Sequence, residues 1–175
     1  EQEYQKAIRL NPRYALAHSW YGRLLARILG RFDQGIAEAR LGLDLDPLSP
    51  GASHELGLAY YAARQYDLAI DLQRRALDLQ PDWADAHQYL GEAYLAKGML
   101  QEAMPEFQAI VRFGGNTGAA LARIGVVHAR LGESREALDL LRQMGARSTA
   151  QPIAAASIAI LYAELGDTAE AIDWL

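Results

Sequence analysis

One phrase returns along the chain at a fixed interval, and that interval limits the fold more than any other feature. "ELGLAYYAAR" at 55–64 comes back as "YLGEAYLAKG" at 89–98, "RIGVVHARLG" at 123–132 and "SIAILYAELG" at 157–166, each 34 residues after the last. A glycine slot keeps the same frame through Gly30, Gly98, Gly132 and Gly166, with Arg64 in the second place. Five residues further on stands a small residue every time: Gly35, Ala69, Ala103, Ala137 and Ala171. Self-similarity at such a period is the mark of stacked supersecondary units, each burying its apolar face against its neighbours.

Within each unit the pattern predicts two helices. The apolar residues recur at helical spacing, the glycine slot suits the left-handed residue that ends a first helix, and Pro12, Pro47 and Pro81 stop the second helices. A second series of small residues, Gly22, Gly57, Gly91, Gly125 and Ala159, falls inside the first helices. Glycine there costs roughly 1 kcal/mol against alanine, so a compensating contact is expected. A close crossing supplies one: Gly91 and Ala103 are small where the paired helices touch, and Leu90, Tyr94 and Phe107 fill the space beside them. Gly22 to Gly57 is 35 residues where the other steps are 34, which places one extra residue in the first helix near 27–29.

The resulting map has an orphan second helix over 1–11 and helix pairs over about 13–47, 50–81, 84–115, 117–149 and an incomplete 152–175, all in a single array. Pro105 lies near the start of a second helix and predicts a mild distortion. "GARSTAQ" at 145–151 predicts a shortened second helix in the fourth unit. The chain opens inside one amphipathic helix and closes inside another, which suggests a piece of a longer protein.

The period, with Leu56, Gly57, Tyr60, Tyr66, Ala69, Ala76 and Pro81 in one unit and Leu90, Gly91, Tyr94, Gly98, Ala103 and Phe107 in the next, resembles the tetratricopeptide repeat (TPR). The resemblance covers the whole chain. It implies an all-α, right-handed α-α superhelix (solenoid) of tandem 34-residue helix-turn-helix units, a non-catalytic scaffold whose first helices line a concave groove for a peptide or partner helix. Helix phase then puts Trp20, Arg23, Arg27, His54, Leu58, Tyr61, Gln88, Tyr89, Glu92, Arg123 and Arg130 on that face, some of them packing between units instead. Some family members clamp a C-terminal carboxylate with lysine, asparagine and arginine. Here the asparagines are missing from the face, and Asp85 and Glu92 add negative charge, which disfavours that partner.

Charge and composition narrow the partners. A formal net charge of −5 provides no basic footprint for nucleic acid or an anionic membrane. The most apolar run, 153–163, is shorter than the ~20 residues of a membrane span. With no cysteine, disulfides and thiolate metal sites are excluded, and the compartment stays open between cytoplasm, the favoured one, and periplasm.

No catalytic constellation emerges, and no enzyme activity, cofactor or metal is expected. His18, His54, His87 and His128 are scattered over four units, and "SHEL" lacks the second histidine a zincin helix requires. His128 stands where other units have Tyr60, Tyr94 and Tyr162, and is expected to pack. "FGGNTG" at 113–118 lacks the lysine and preceding strand of a phosphate loop, so Asn116 or Thr117 reads as a helix N-cap. Ser19, Ser53 and Ser157 have no base and orienting acid in readable spacing. Asp71, Arg74, Arg75 and Asp78 read as solvated ion pairs on an outer face.

"PIAAASIAILYAELG" is apolar around most of its circumference, which calls for a cover from residues beyond 175 or a patch for a partner or self-association through uncapped ends. The wording of the first and last units resembles TPR regions appended to bacterial signalling proteins: winged-helix regulators, serine/threonine kinases and nucleotide cyclases. That implies a regulatory interaction module. A substrate-presenting region of an enzyme whose catalytic domain lies elsewhere, or a self-assembly or spacer module, are the alternatives.

Overall fold

The computed structural model describes residues 1–147 and 152–174, and every element among them is helical. The chain forms two compact units, Glu1–Lys97 and Gly98–Leu175. The first holds α1 (Gln2–Leu10), α2 (Ala15–Arg23, continued by a π-helical turn Leu24–Ile28), α3 (Phe32–Leu45), α4 (Pro50–Ala62), α5 (Tyr66–Leu79) and α6 (Ala84–Ala96). The second holds α7 (Leu100–Arg112), α8 (Thr117–Arg130), α9 (Ser134–Arg147), α10 (Pro152–Glu164) and α11 (Thr168–Asp173).

In the first unit α2 packs on α3 and α4 on α5, while α4 also packs on α2 and α6, so α2, α4 and α6 lie side by side with α3 and α5 behind them. Ala26, Ala39, Leu43, Ala52, Leu56, Ala59, Tyr60 and Ala69 form the core between the two complete pairs. In the second unit α8 holds the same place, packed on α7, α9 and α10. Phe107, Ile124, Val127, Leu141, Ile158 and Leu161 are buried there.

The turns confirm the frame. Gly30, Gly98, Gly132 and Gly166 all have positive φ, and so does Arg64 at 58°. A side chain in that conformation costs about 1–2 kcal/mol. The backbone amide of Gln65 reaches back five residues to Tyr60, as Glu133 does to His128 and Asp167 to Tyr162. In the first pair the equivalent bond, from Arg31 to Leu25, spans six. The extra residue therefore lies between these two positions. It is taken up by the π-helical turn, where the amide of Leu29 bonds the carbonyl of Leu24.

The small residues meet at a close crossing in the first pair, where Gly22 and Gly35 lie against each other as expected, with further contacts beside them. A Cβ on Gly22 would stand 2.6 Å from the amide of Ala39 and 2.7 Å from the carbonyl of Gly35, while one on Gly35 would meet Ala26. Gly22 thus opposes Ala39 as well as Gly35. Gly57 faces Gln73 and Leu72, and Gly125 faces Leu161 of the next repeat.

Pro105 sits inside an unbroken α7. The expected shortening of the fourth unit's second helix is not observed: α9 runs 14 residues, as long as α3 and α5, because the buried stripe Ala137, Leu141 and Met144 carries it on. Residues 148–151 of the "GARSTAQ" segment lie outside the described residues. In α10, Ile158, Ala159 and Leu161 are buried and Ile160 is exposed. Asn116 caps α8 by accepting the amide of Ala119, as expected.

Candidate functional site

On the first unit, side chains from α2, α4 and α6 converge over α4. Arg23 Nη1 donates to Glu55 Oε1 at 2.8 Å. One turn on, the Arg27 guanidinium lies 5.0 Å from the centre of the Tyr89 ring. Arg27 belongs to α2 and Tyr89 to α6, with α4 between them. Helices packed at 8–10 Å put their axes nearly two helix widths apart, so both side chains lean inward over α4. Tyr61 of α4 meets Tyr89 edge-on at 5.8 Å and Tyr66 at 5.7 Å, and Trp20 stands 41% exposed on α2.

Beneath the aromatic groups is a polar clamp. His54 Nδ1 lies 2.9 Å from Gln73 Oε1, and Gln73 Nε2 donates to the His54 carbonyl at 3.3 Å. Both residues are buried. With Nδ1–H donating, the imidazole is held as one tautomer, and burial lowers its pKa, with the Gln73 bond opposing, so the ring is neutral at pH 7. Its faces and edges meet Trp83 at 4.6 Å and Tyr89 at 5.8 Å.

Glu55 is the unusual group. It is only 5% exposed, its Oε1 is held by Arg23, and its Oε2 is buried with no hydrogen-bond partner. Desolvation pushes its pKa up to about 7, with Arg23 and then Arg27 pulling the other way.

The tetratricopeptide repeat family profile matches residues 1–51 and 54–117, about two thirds of the chain. The chain belongs to the tetratricopeptide repeat family. No curated protein matches its sequence. Among solved structures it is similar to YrrB, described as a TPR protein with an unusual peptide-binding site (TM-score 0.69, 22% identity, 98% of this chain and 88% of that one). PilW, a type IV pilus biogenesis factor, matches with a TM-score of 0.77 at 22% identity over 86% of this chain and 70% of that one. The first TPR of Spaghetti, solved with an HSP90 peptide, matches with 0.63 at 22% identity over 68% and 96%. At these identities the likeness is one of fold.

In the TPR frame, the structure sorts the residues predicted for the face. Arg27 and Tyr61 both meet Tyr89, Arg23 reaches Glu55, and Trp20 is exposed on α2, with Gln88 and Glu92 half-buried on α6. Leu58, 1% exposed, and His54 are packed between helices and offer a partner almost no surface. They support the face from below. Arg123 and Arg130 belong to the second unit, where Arg130 forms a two-point ion pair with Glu164 at 2.5 and 3.1 Å. That bond, more than any other contact, holds the Arg130 pKa up and the Glu164 pKa down.

Arg74 and Arg75 do not form the expected outer-face ion pairs. Arg74 Nε donates to Tyr94 Oη at 2.9 Å, and Arg75 Nη2 to the Pro47 carbonyl at 2.6 Å, so α5 is tied forward and back. Arg40 bonds Tyr60 Oη at the equivalent place, 20 residues apart as in the Arg74–Tyr94 pair. At the third tyrosine position His128 is half-buried and bonds Glu133 at 2.6 Å.

Two residues were not anticipated. Gln73 falls where the other units have Ala39, Phe107 and Leu141, and Glu55 where they have Trp20, Tyr89 and Arg123. A polar residue at an apolar position of the repeat was the available signal in the first case. Among the described residues no three metal-ligating side chains gather, and no helix is long and apolar enough to cross a membrane.

Proposed function

We propose that the chain is a protein-interaction scaffold, and that the face formed by α2, α4 and α6 binds an extended peptide or partner helix. The observation that supports this best is the pairing of exposed and half-buried recognition groups with fully buried supports. Trp20, Arg23, Arg27, Tyr61 and Tyr89 offer aromatic and guanidinium surface, the residue types enriched at binding hot spots. The Glu55 carboxylate holds Arg23, and the Gln73–His54 clamp backs Tyr89, before any partner arrives. The peptide-binding site in the description of YrrB and the HSP90 peptide on Spaghetti agree with such a role. In a longer bacterial signalling protein the array would act as its regulatory part.

Capture of partners from source cells by the 175-residue chain tests the reading, with the Trp20, Tyr61 and Tyr89 triple alanine variant as control. A protein held by the native face and lost by a variant of unchanged helicity is the expected outcome. Equal capture by both places the binding surface elsewhere.

A further inference from the structure

The face of α2, α4 and α6 contains a carboxylate that no partner has placed there. Glu55 projects from α4 toward two cations of α2: Arg23, bonded to Oε1 at 2.8 Å, and Arg27, which acts on it more weakly. The Arg23 side chain is 42% exposed while that of Glu55 is 7% exposed, so the guanidinium faces outward and its anion lies behind it. Along the α2 side of the face Arg23 and Arg27 are two cations against the single anion Glu55, in a chain that is acidic as a whole. The other acids of this face, Asp85 and Glu92, stand on α6. Arg23 and Arg27 are the charged groups that act on Glu55; Asp85 acts on His54.

We propose that Glu55 is a built-in counter-anion for Arg23, and that the partner is a peptide segment with an acidic side chain that displaces it, Glu55 taking up a proton from solvent as its salt bridge is lost. This rests on the peptide-binding reading above and names the chemistry of its ligand. The displacement has a physical driver. Glu55 has already lost its hydration, and its Oε2 finds no donor in return, so the pair holds less energy than an ordinary hydrogen-bonded bridge. An incoming carboxylate at the exposed side of Arg23 keeps part of its water and can take two parallel bonds from the guanidinium. Glu55, deprived of its cation in a desolvated site, is then stable only as the neutral acid. Arg27, stacked on Tyr89, stands one turn away to take the second charge of an acidic segment.

Proton uptake fixes the sign of the pH dependence. Glu55 titrates near 7 while Arg23 still holds it, and higher once Arg23 is taken away. Affinity is then full below about pH 7 and falls as pH rises through it, by up to about tenfold per pH unit. His54, kept neutral by burial, does not contribute to that slope.

A random peptide library displayed on phage, selected on the whole chain near pH 6, provides the probe. Enriched peptides free of histidine, and counterparts with Asp and Glu changed to Asn and Gln, are then titrated near pH 6 and pH 8. Expected are peptides that share an acidic residue, bind roughly tenfold more weakly at the higher pH, and lose preference over their amide counterparts in Arg23→Gln. Glu55→Gln removes the competing anion, so its binding is flat with pH and, near pH 8, tighter than that of the native chain. Groove-dependent peptides that are basic or uncharged overturn the proposal and leave the peptide-binding reading intact, as does an unaltered pH slope in Glu55→Gln. A library that yields no peptide sensitive to the Trp20, Tyr61 and Tyr89 triple variant overturns the reading itself, and the counter-anion role with it.

Discussion

The first helix pair, α2 with α3, and the second, α4 with α5, solve the same packing problem with opposite means. In the first, small residues bring backbone onto backbone: Gly22 against Ala39 and the Gly35 carbonyl, Gly35 against Ala26, and Gly42 against Ser19. In the second, the place of Ala39 is taken by Gln73, whose amide fills the space beside Gly57 and binds His54. The place of Trp20 is taken by Glu55, and that of Gly30 by Arg64. One pair is a tight mechanical joint. The other trades close packing for buried polar groups and a strained turn, and it is the pair that carries the centre of the candidate binding face. Departures from the repeat are expected to concentrate where a scaffold does more than fold.

Substitution at the crossing separates the two designs most strongly. In Gly22→Ala the new Cβ meets backbone atoms of Ala39 and Gly35, which have no route of escape, so a loss of about 3 kcal/mol is expected. In Gly57→Ala the nearest atom is Nε2 of Gln73, the end of a side chain that can rotate, and helix propensity returns roughly 1 kcal/mol. Urea unfolding of both variants reads the difference directly. Equal losses would mean that the second pair is as tightly closed as the first.

The buried carboxylate sharpens the contrast through pH. Glu55 has its pKa raised from 4.5 to about 7 by desolvation, against the pull of Arg23 and Arg27. A group raised on folding contributes stability that is fully present below its unfolded value and lost as pH rises through its folded one. Relative to Glu55→Gln, the native chain should therefore lose about 2 kcal/mol between roughly pH 5 and pH 8. Denaturant midpoints of the two proteins that stay parallel across that range would remove Glu55 from the account.

The turn of the second pair predicts a smaller effect of opposite sense. Arg64 is the one residue without a glycine's freedom among the equivalent turn positions, at φ 58°. Arg64→Gly should raise stability by about 1 kcal/mol, because the left-handed conformation no longer carries a Cβ. The melting temperature reads it, and a lower value would show that the arginine side chain supplies a contact worth more than the strain.

Much of this architecture was legible because a repeat is its own control. A fixed 34-residue frame assigned helices, turns and the extra residue near 27–29, which became the π-helical turn at Leu24–Ile28. The same frame assigned Arg27, Tyr61 and Tyr89 to one face by helix phase, and Tyr89 does meet both of the others. Depth was not legible. Phase gives the direction of a side chain and not its burial, so Leu58 and His54 were placed with the exposed groups although both are covered. Arg74 and Arg75 look like surface charges in sequence, and only the distance between successive repeats shows that one reaches Tyr94 and the other Pro47. Glu55 was passed over because its chemistry comes from Arg23, 32 residues earlier, and from desolvation that no local pattern records.

The smallest contrast lies at one repeat position, four residues before each mid-helix glycine. His18 occupies it in the first pair, with Nε2 at 3.0 Å from the Pro12 carbonyl and Nδ1 at 2.7 Å from Glu38. His87 makes the same reach in the third, 2.9 Å from the Pro81 carbonyl. In the second pair the residue is Ser53, too short to span that gap, and the Pro47 carbonyl is taken by Arg75 instead. The Ser53 hydroxyl is left fully buried without a partner. Removing an unsatisfied buried hydroxyl relieves its desolvation cost and leaves no other group stranded, so Ser53→Ala should be neutral or stabilising by roughly 0.5–1 kcal/mol. The pair of unfolding curves decides between two accounts of the position. A gain confirms that the second pair lost its histidine tie and found the arginine as a substitute, whereas a clear loss would mean that the hydroxyl holds a water between α4 and its neighbours, and that the tie survives in hydrated form.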